Sequence, residues 1–333
     1  MKSIWMGGDY IRNVYPAETR SELQKKAGLD TEQVITGENW RSHTCELAEA
    51  DAIFSTWGMP AFSEEEIRQY LPNVREVYYA AGSVQAFAKP FLRCGVRVFS
   101  AWAANAVPVA EFTVAQIILA NTGYFQSARY HSCGDTEHSY PYKSLFPGNY
   151  GCRIGILGAG QIGTLVIRML KAYRLEVLVF DPFLSDERAA ELQVTKAPLE
   201  TIFAECQTIS NHLANNAQTV GMLNYETCFS RMKDNATFIN TGRGAQVVEE
   251  DLVRALQEKP DATALLDVTW PEPPQPGHPF YSMPNVFLTP HIAGSKGDEL
   301  QRLSLYMLQE FDRVHSGEKP LYEVTEEMLA HMA

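Results

Sequence analysis

The stretch that most constrains the fold of this chain runs from Gly151 to Asp181 and has the pattern of one β-α-β unit. An apolar run of strand length leads into the glycine cluster Gly158-Ala-Gly-Gln-Ile-Gly163, and apolar residues at helical spacing follow it. Glycines at this spacing allow a tight turn, a close approach of pyrophosphate to the backbone, and close packing of helix against strand. The pattern therefore predicts a dinucleotide-binding unit, with the phosphates at the N-terminus of the helix.

Asp181 ends the second predicted strand of this unit, 18 residues beyond Gly163. An acidic side chain at this place accepts hydrogen bonds from the adenosine ribose hydroxyls, and it repels the 2′-phosphate of NADP. The next residues, Pro182-Phe-Leu184, supply no arginine for that phosphate. Glycine-rich turns also serve purely structural ends, but here the strand, the helix, the second strand and the acid all stand in register. The sequence predicts NAD as the cofactor, with Gly158 and Gly160 in contact with it.

The dinucleotide unit begins only after about 150 of the 333 residues, so a second domain of similar size is expected before it. The net charge of −12 argues against nucleic-acid or anionic-membrane partners, because each of these requires a basic face. No apolar run approaches the length of a membrane span, and residues 1–10 lack the apolar core of a signal peptide, so we expect a cytoplasmic protein. The six cysteines fall singly, without zinc-site spacing, and no metal is expected.

Strand-length apolar runs alternate with helical patterns in both halves of the chain, which predicts parallel sheets with helices on their faces. In such sheets ligands bind beyond the carboxyl ends of the strands. One predicted strand in the first half ends in Ala80-Ala-Gly-Ser83, whose amides are suited to bind a carboxylate, although an ordinary strand-to-helix turn is the alternative. Trp57 follows another strand end, where it either lines a pocket or packs in the core.

Three further segments connect these patterns. Residues 101–129 are alanine-rich and predict one long connecting helix, with Pro108 in its first turn. Residues 131–150 show no periodicity, and we interpret them as a surface excursion that could form part of a subunit contact. Residues 271–279 contain five prolines and predict a stiff loop, in which we place His278 at the surface.

Three strand ends in the second half carry unusual side chains: Arg243 in NTGRG, Glu272 in DVTWPEP and His291 in TPHIAG. With VAEFTVAQIILA, GILGAGQIG, NHLA, MKDNATFINTGRG, LLDVTWPEP and NVFLTPHIAG in this order, the chain resembles the D-isomer-specific 2-hydroxyacid dehydrogenases over nearly its whole length. The resemblance implies that Arg243, Glu272 and His291 are catalytic and that Asp267 holds the nicotinamide carboxamide. It also implies two sets of contacts: Ala81, Gly82 and Ser83 with the substrate carboxylate, and Gln161, Ile162, Gly163, Leu213, Thr241, Gly242 and Gly294 with the cofactor.

These residue types suit the implied reaction on physical grounds. Hydride transfer to a 2-keto acid places negative charge on the carbonyl oxygen, and histidine is the natural proton donor near neutral pH. A carboxylate beside that histidine orients the ring and stabilises its protonated form. An arginine grips the substrate carboxylate and polarises the carbonyl. Taken singly, each of Arg243, Glu272 and His291 has an ordinary structural interpretation, and their joint occurrence in order favours catalysis.

We expect two doubly wound α/β domains with the reaction in the cleft between them. The first is a flavodoxin-like substrate domain of residues 1–103 plus 295–333, and the second is an inserted Rossmann NAD-binding domain of residues 104–294. The resemblance implies a homodimer. The predicted function is hydride transfer between NADH and a small 2-keto acid or D-2-hydroxy acid.

Several alternatives stay open. Phosphoglycerate dehydrogenase is a specific variant of this activity, but the sequence shows no basic cluster near residues 80–83 for a phosphate. An NAD(H)-sensing corepressor on the same fold is the alternative outside catalysis. Formate dehydrogenases share the architecture but carry glutamine at the place of Glu272. Gln85, Ala214 and the pair Ala103-Ala104 depart from the family pattern, which weakens any inference of the substrate.

Overall fold

The structure, a computed structural model, describes residues 1–329, with the backbone alone at residues 30–32. The chain divides into two compact units; it passes from the first to the second within a helix and returns to the first between Gly294 and Ser295. Unit 1 comprises Met1–Ala106 with Ser295–Ala333, and unit 2 comprises Val107–Gly294. Residues 330–333, part of the expected substrate domain, lie outside the described residues.

Strands and helices alternate along both units. The strands, numbered in chain order, are β1 (Ser3–Met6), β2 (Leu29–Ile35), β3 (Ala52–Ser55), β4 (Glu76–Tyr79), β5 (Arg97–Ser100), β6 (Tyr150–Leu157), β7 (Arg174–Phe180), β8 (Thr195–Lys196), β9 (Thr208–Asn211), β10 (Thr237–Asn240), β11 (Thr263–Leu266), β12 (Val286–Leu288) and β13 (Glu323–Val324). The α-helices are α1 (Ile11–Val14), α2 (Ala17–Ala27), α3 (Thr44–Glu49), α4 (Glu64–Tyr70), α5 (Ala88–Arg93), α6 (Trp102–Ala120), α7 (Tyr124–His131), α8 (Thr136–Ser139), α9 (Tyr142–Leu145), α10 (Gln161–Leu170), α11 (Asp186–Leu192), α12 (Leu199–Glu205), α13 (Glu249–Glu258), α14 (Leu300–His315) and α15 (Glu326–Leu329).

Unit 1 is built on a six-stranded sheet in the order β13-β5-β4-β3-β1-β2. Strands β1 to β5 are parallel, and β13 pairs antiparallel with β5. The order β2-β1-β3-β4-β5 is the flavodoxin-like one, with its switch point between β1 and β3. Successive residues of β3 point to opposite faces, so Ile53 packs in one apolar core and Phe54 in the other.

Unit 2 is built on a seven-stranded parallel sheet in the order β12-β11-β10-β9-β6-β7-β8. Six of these strands follow the Rossmann order, with the switch point between β6 and β9. Both faces are buried, with Phe238 in one core and Ile239 in the other. The predicted fold class, two doubly wound parallel-sheet domains, is confirmed.

The sequence did not indicate every element. Strand β2 has the sequence LDTEQVI, whose polar centre hides the strand pattern. It lies at the edge of the sheet, where a strand does not need apolar residues on both faces. The expected helix over residues 101–129 is divided by Gly123, which has φ 70° and lets the Phe146 ring approach to 2.2 Å from where a Cβ would lie. The residues expected to form an irregular excursion contain the short helices α8 and α9.

Helix α6 needs two corrections to the sequence expectation. It begins at Trp102, so Pro108 lies inside the helix and not in its first turn. Within the described residues, α6 is also the one helix that is long and apolar enough to cross a membrane by length and composition. Buried core helices pass the same test, so this property does not by itself indicate a membrane span.

Candidate active site

The glycine cluster at the end of β6 forms an open cradle at the N-terminus of α10. Gly158 has φ 89°, and a Cβ there would lie 2.7 Å from the His212 carbonyl oxygen. A Cβ on Gly163 would lie 2.0 Å from the Gly158 oxygen, so only glycine permits this packing of helix against strand. For Gly160, by contrast, no atom of the described residues other than its chain neighbours lies within 4 Å of where its Cβ would be. The space beside Gly160, at the start of α10 where Gln161 and Ile162 stand, fits a pyrophosphate.

Asp181 lies just after β7, and both of its carboxylate oxygens accept backbone hydrogen bonds. One oxygen accepts from the Ala159 N–H at 2.7 Å, and the other accepts from the Phe183 N–H at 2.8 Å. These bonds hold the carboxylate beside the glycine cradle and leave further lone pairs for ribose hydroxyls. The structure therefore brings together Asp181 and the glycines that the sequence assigned to the same cofactor.

A network of buried amide side chains joins the ends of β9 and β10. The Asn211 amide donates to Asn240 Oδ1 at 3.0 Å and to Gln246 Oε1 at 2.6 Å. Gln246 in turn donates to the Leu213 carbonyl at 2.7 Å, and Asn240 Oδ1 accepts from the Gly242 N–H at 3.1 Å. The network fixes Leu213 and Gly242, which are two of the expected cofactor contacts. Thr241 beside them is held by its hydroxyl, 3.0 Å from that of Thr113.

Arg243 follows this network, and its guanidinium donates to the Gly242 carbonyl at 2.8 Å. Burial lowers the pKa of Arg243 from its ordinary value, and the charge of Glu272 opposes that effect. An arginine stays protonated at physiological pH in such surroundings. The site therefore contains a partly desolvated cation with Glu272 near it, which suits an anionic substrate.

Asp267 holds the loop that carries His291. Its Oδ1 accepts from the Thr289 hydroxyl at 2.6 Å and the Ile292 N–H at 2.8 Å, and its Oδ2 accepts from the Ala293 N–H at 2.9 Å. His291 has φ 53°, a left-handed conformation that a non-glycine residue adopts only when its surroundings impose it. The sequence indicated a cofactor role for Asp267. The structure adds that this buried carboxylate sets the backbone of the candidate proton donor.

Glu272 and His291 form a hydrogen-bonded pair at the surface of unit 2. The Nδ1 atom of His291 lies 2.8 Å from Glu272 Oε1, and the two side chains are 47% and 40% exposed. With Nδ1 engaged by the carboxylate, Nε2 is the ring nitrogen available to a substrate. Unit 2 thus places His291 against Glu272, and Glu272 near enough to Arg243 to oppose the effect of burial on its pKa. Gly294 follows the same loop and is half-buried.

The expected substrate contacts of unit 1 lie beyond the carboxyl ends of β3 and β4. The Ala81 N–H is already engaged, since it donates to the Tyr79 carbonyl at 2.9 Å. Among the described residues, the amides of Gly82 and Ser83 donate to no acceptor, while the Ser100 hydroxyl holds the Ala81 and Gly82 carbonyls at 2.9 and 2.7 Å. Two amides, not three, are therefore free to bind a carboxylate.

The aromatic side chains that follow strands of the two units differ in their surroundings. Trp57 is 37% exposed and packs edge-on against Tyr10, with ring centroids 6.1 Å apart. Trp102 packs against Tyr322, and Trp270 is 68% exposed. Tyr10 was missed because a single tyrosine after a predicted strand carries no motif.

Other residues of the site also lay outside the sequence predictions. Asn211 and Asn240 lie within the recognised motifs NHLA and NTGRG, which could have indicated them although the sequence assigned them no role, whereas Gln246 lies outside both motifs. His278, expected at the surface, is only 18% exposed and lies against Glu249. His212 is neutral, since burial lowers its pKa to about 3. Within residues 1–329 no three His, Cys, Asp or Glu side chains form a group that could hold a metal ion.

Comparison with known proteins gives a consistent result. Residues 117–293 match the family model of the D-isomer specific 2-hydroxyacid dehydrogenase, NAD binding domain. A D-3-phosphoglycerate dehydrogenase of Archaeoglobus fulgidus is 30% identical over 302 residues, which cover 90% of this chain and 56% of that protein. A glyoxylate reductase of Korarchaeum cryptofilum is 29% identical over 285 residues, which cover 85% of each chain. The chain thus spans little more than half of the phosphoglycerate dehydrogenase and most of the glyoxylate reductase.

Solved structures show the same architecture. A phosphoglycerate oxidoreductase from Rhizobium etli superimposes with a TM-score of 0.81 at 22% identity, covering 98% of this chain and 99% of that one. At this identity the similarity concerns the fold alone. Together with the matched NAD-binding domain, these findings confirm the family resemblance and the NAD cofactor that the sequence motifs indicate.

Proposed function

We propose that this chain, which belongs to the D-isomer specific 2-hydroxyacid dehydrogenase family, transfers a hydride between NADH and a small 2-keto acid or D-2-hydroxy acid. The observation that carries the proposal is the Glu272–His291 pair, 2.8 Å apart, with Arg243 close enough for Glu272 to influence its pKa. A proton donor and a cation for an anionic substrate are the two groups that keto-acid reduction requires.

The residues of unit 2 divide this work. The glycine cradle and Asp181 bind the dinucleotide, which supplies the hydride when it is bound. Arg243 holds an anionic substrate and stabilises negative charge on its carbonyl oxygen, with charge-assisted hydrogen bonds worth about 1.5–3 kcal/mol each. His291 donates the proton to that oxygen from Nε2 during reduction and accepts it during oxidation. Glu272 holds Nδ1 and stabilises the protonated ring.

Unit 1, taken by itself, carries groups that suit a 2-keto acid. The amides of Gly82 and Ser83 are suited to bind its carboxylate, as oriented backbone N–H groups do for anions. The Trp57–Tyr10 pair presents an apolar surface beyond the ends of β1 and β3. These features favour a small or apolar keto acid over a phosphorylated one.

The experiment that tests this proposal is NADH oxidation with a panel of 2-keto acids, from glyoxylate and pyruvate to phenylpyruvate, hydroxypyruvate and its 3-phosphate. We expect turnover with an unphosphorylated member, and the matched variant H291N should lose it while still binding NADH. A protein that binds NADH and reduces no member of the panel would instead support the sensing alternative. Preference for the 3-phosphate would point to phosphoglycerate dehydrogenase.

We further propose that the protein is cytoplasmic and forms a homodimer. Unit 2 carries an apolar groove of about 460 Å³ between α6 and α10. Leu119 and Tyr173 in its lining are 41% and 40% exposed. A second copy of the chain covering this groove would remove that apolar surface from water. Sedimentation of the wild type and of L119E tests the dimer, which the charged variant should weaken.

A further inference from the structure

Glu249 is a buried carboxylate near the candidate active site that the proposed reaction does not use. It is the first residue of α13, and its side chain is 9% exposed. It lies within unit 2, the unit that holds Arg243, Glu272 and His291. A charged group is costly to bury unless its surroundings compensate it. Its partners therefore indicate what the carboxylate does.

The first partner is the backbone at the start of the proline loop. Glu249 Oε1 accepts a hydrogen bond from the Trp270 N–H at 2.8 Å. Trp270 stands two residues before Glu272, and the Trp270 side chain is 68% exposed, so it does little to anchor the loop itself. The bond to Glu249 therefore fixes the backbone from which Glu272 reaches His291.

The second partner is His278, near the other end of the same loop. Its Nε2 lies 3.4 Å from Glu249 Oε2, and its Nδ1 accepts from the Phe280 N–H at 3.3 Å. Because Nδ1 is an acceptor, Nε2 carries the proton and donates it towards the carboxylate. The ring also packs on Phe280, with centroids 4.5 Å apart. Both ends of the loop thus converge on one carboxylate.

The anchored segment also lies against the arginine loop. A Cβ on Gly244 would be 2.0 Å from the Thr269 carbonyl carbon, so the backbones of the two loops are in direct contact. Gly244 follows Arg243, and Thr269 precedes Trp270. A shift of the anchored backbone would therefore disturb the surroundings of Arg243 as well as of Glu272.

The energetics favour a role other than stability for this charge. Burial raises the pKa of Glu249 above its usual value, and the neighbouring Glu250 acts in the same direction, while the Trp270 N–H opposes them. Folding consequently disfavours the charged form. An uncharged side chain with an acceptor oxygen would hold Trp270 at a smaller cost to folding.

We propose that Glu249 is a positioning residue, which holds the loop that bears Glu272 at both ends through Trp270 and His278. The inference rests on the proposed function, because it assigns Glu249 to the same Glu272–His291 pair. The charged and titratable groups that face the pair and its anchor are Arg243 beside Glu272, His278 beside Glu249, and Glu250 on α13.

The test compares E249A, E249Q and the matched control E250Q, whose wild-type residue is exposed on the same helix. We measure kcat, KM and the pH–rate profile of keto-acid reduction in the full chain. E249A removes the contacts of Glu249 with both Trp270 and His278. Its kcat should fall about 10- to 100-fold, since misplacement of a reacting group by about 1 Å lowers the rate up to 10²-fold. KM for NADH should stay within about twofold, and the alkaline limb should move to lower pH, as we expect for E272Q, a variant in which Glu272 has lost its charge. E249Q keeps an acceptor for Trp270 and should recover part of the loss.

The proposal is overturned if E249A is less stable but has the kcat and alkaline limb of E250Q. If E249A does not fold, H278F takes its place, because the phenyl ring keeps the packing on Phe280 and removes the Nε2 contact. We expect a smaller change in the same direction. If the wild type reduces no keto acid, the proposed function fails, and the readout becomes the NMR signals of the His291 imidazole. These should move towards those of E272Q in E249A, and unmoved signals would overturn the proposal.

Discussion

Unit 2 contains two glutamate–histidine pairs of the same chemistry in opposite surroundings. Glu272 and His291 lie 2.8 Å apart and are 40% and 47% exposed. Glu249 and His278 lie 3.4 Å apart and are 9% and 18% exposed. In the first pair one ring nitrogen is left for a substrate. In the second pair, Nδ1 of His278 accepts from the Phe280 N–H and its Nε2 faces the Glu249 carboxylate, so neither ring nitrogen is left for a substrate.

The difference teaches that a carboxylate beside an imidazole does not by itself make a catalytic pair. The exposed pair can exchange a proton with a bound molecule, because its second nitrogen is accessible. The buried pair is committed to backbone groups at the ends of one loop, and it can only hold that loop in place. The exposed pair depends on the buried one, since Trp270, held by Glu249, precedes Glu272 by two residues.

The two pairs should differ most clearly in the turnover of variants of their histidines. H291N should lose roughly 10²–10⁴ in turnover, because the proton donor is gone. H278F should lose about tenfold or less, because it loosens one end of the loop and leaves the donor intact. Steady-state kinetics with NADH and the preferred keto acid measure both. Equal losses in the two variants would remove the distinction between a reacting pair and a holding pair.

Arg243 tests whether the exposed pair acts with a cation. R243A should lose about 10²-fold in turnover, corresponding to one or two charge-assisted hydrogen bonds to the substrate. R243K should recover little, because an ammonium cannot supply the guanidinium fork. NADH titrations followed by fluorescence serve as the control, since the affinity for the cofactor should be retained. Near-normal kinetics of R243A would exclude the arginine from the site.

A substitution of Asp181 sharpens the comparison, because it alters the cofactor site and leaves both glutamate–histidine pairs unchanged. D181S should narrow the preference for NADH over NADPH by about tenfold, or 1.4 kcal/mol, because it removes the carboxylate that repels a 2′-phosphate. Competition between the two cofactors measures the ratio. The pH–rate profile should stay that of the wild type. If the wild type already binds NADPH as tightly as NADH, the role of Asp181 is wrong.

The smallest expected effect is on stability, at Glu249. Its folded-state pKa is raised by burial, so folding favours the protonated carboxyl. Its contribution to the free energy of unfolding is therefore fully present below the unfolded pKa and diminishes as pH rises through the folded one. The stability of the wild type relative to E249Q should accordingly decline as pH rises from the ordinary glutamate value of 4.5 towards neutral pH, measured by urea unfolding of both proteins. A relative stability that rises over this range would contradict the burial argument.

Much of the fold followed from sequence because its signals are local and repeated. The Gly158–Gly163 cluster fixes a strand, a turn and a helix in sequence, and the structure has this strand and helix as β6 and α10. Strand β2 was missed because an edge strand can have a polar centre. The break at Gly123 was missed because it depends on Phe146, a contact between residues far apart in sequence.

The candidate site shows the same division. Arg243, Glu272 and His291 follow predicted strands and belong to motifs, so sequence could name them and expect them to meet. Glu249 and His278 could not be paired from sequence, because one begins a helix and the other lies in a loop 29 residues later. The hydrogen bonds of Asp267 to the His291 loop were equally hidden, since they depend on backbone geometry.

The measurement that tests the central claim most directly is the pH–rate profile of keto-acid reduction in wild type and E272Q. The claim is that Glu272 stabilises the protonated His291 ring from which the substrate receives its proton. Removing the charge of Glu272 should move the alkaline limb to lower pH, because the ring then loses its proton more readily. E250Q should leave the limb in place. An alkaline limb that E272Q leaves unchanged would contradict the claim.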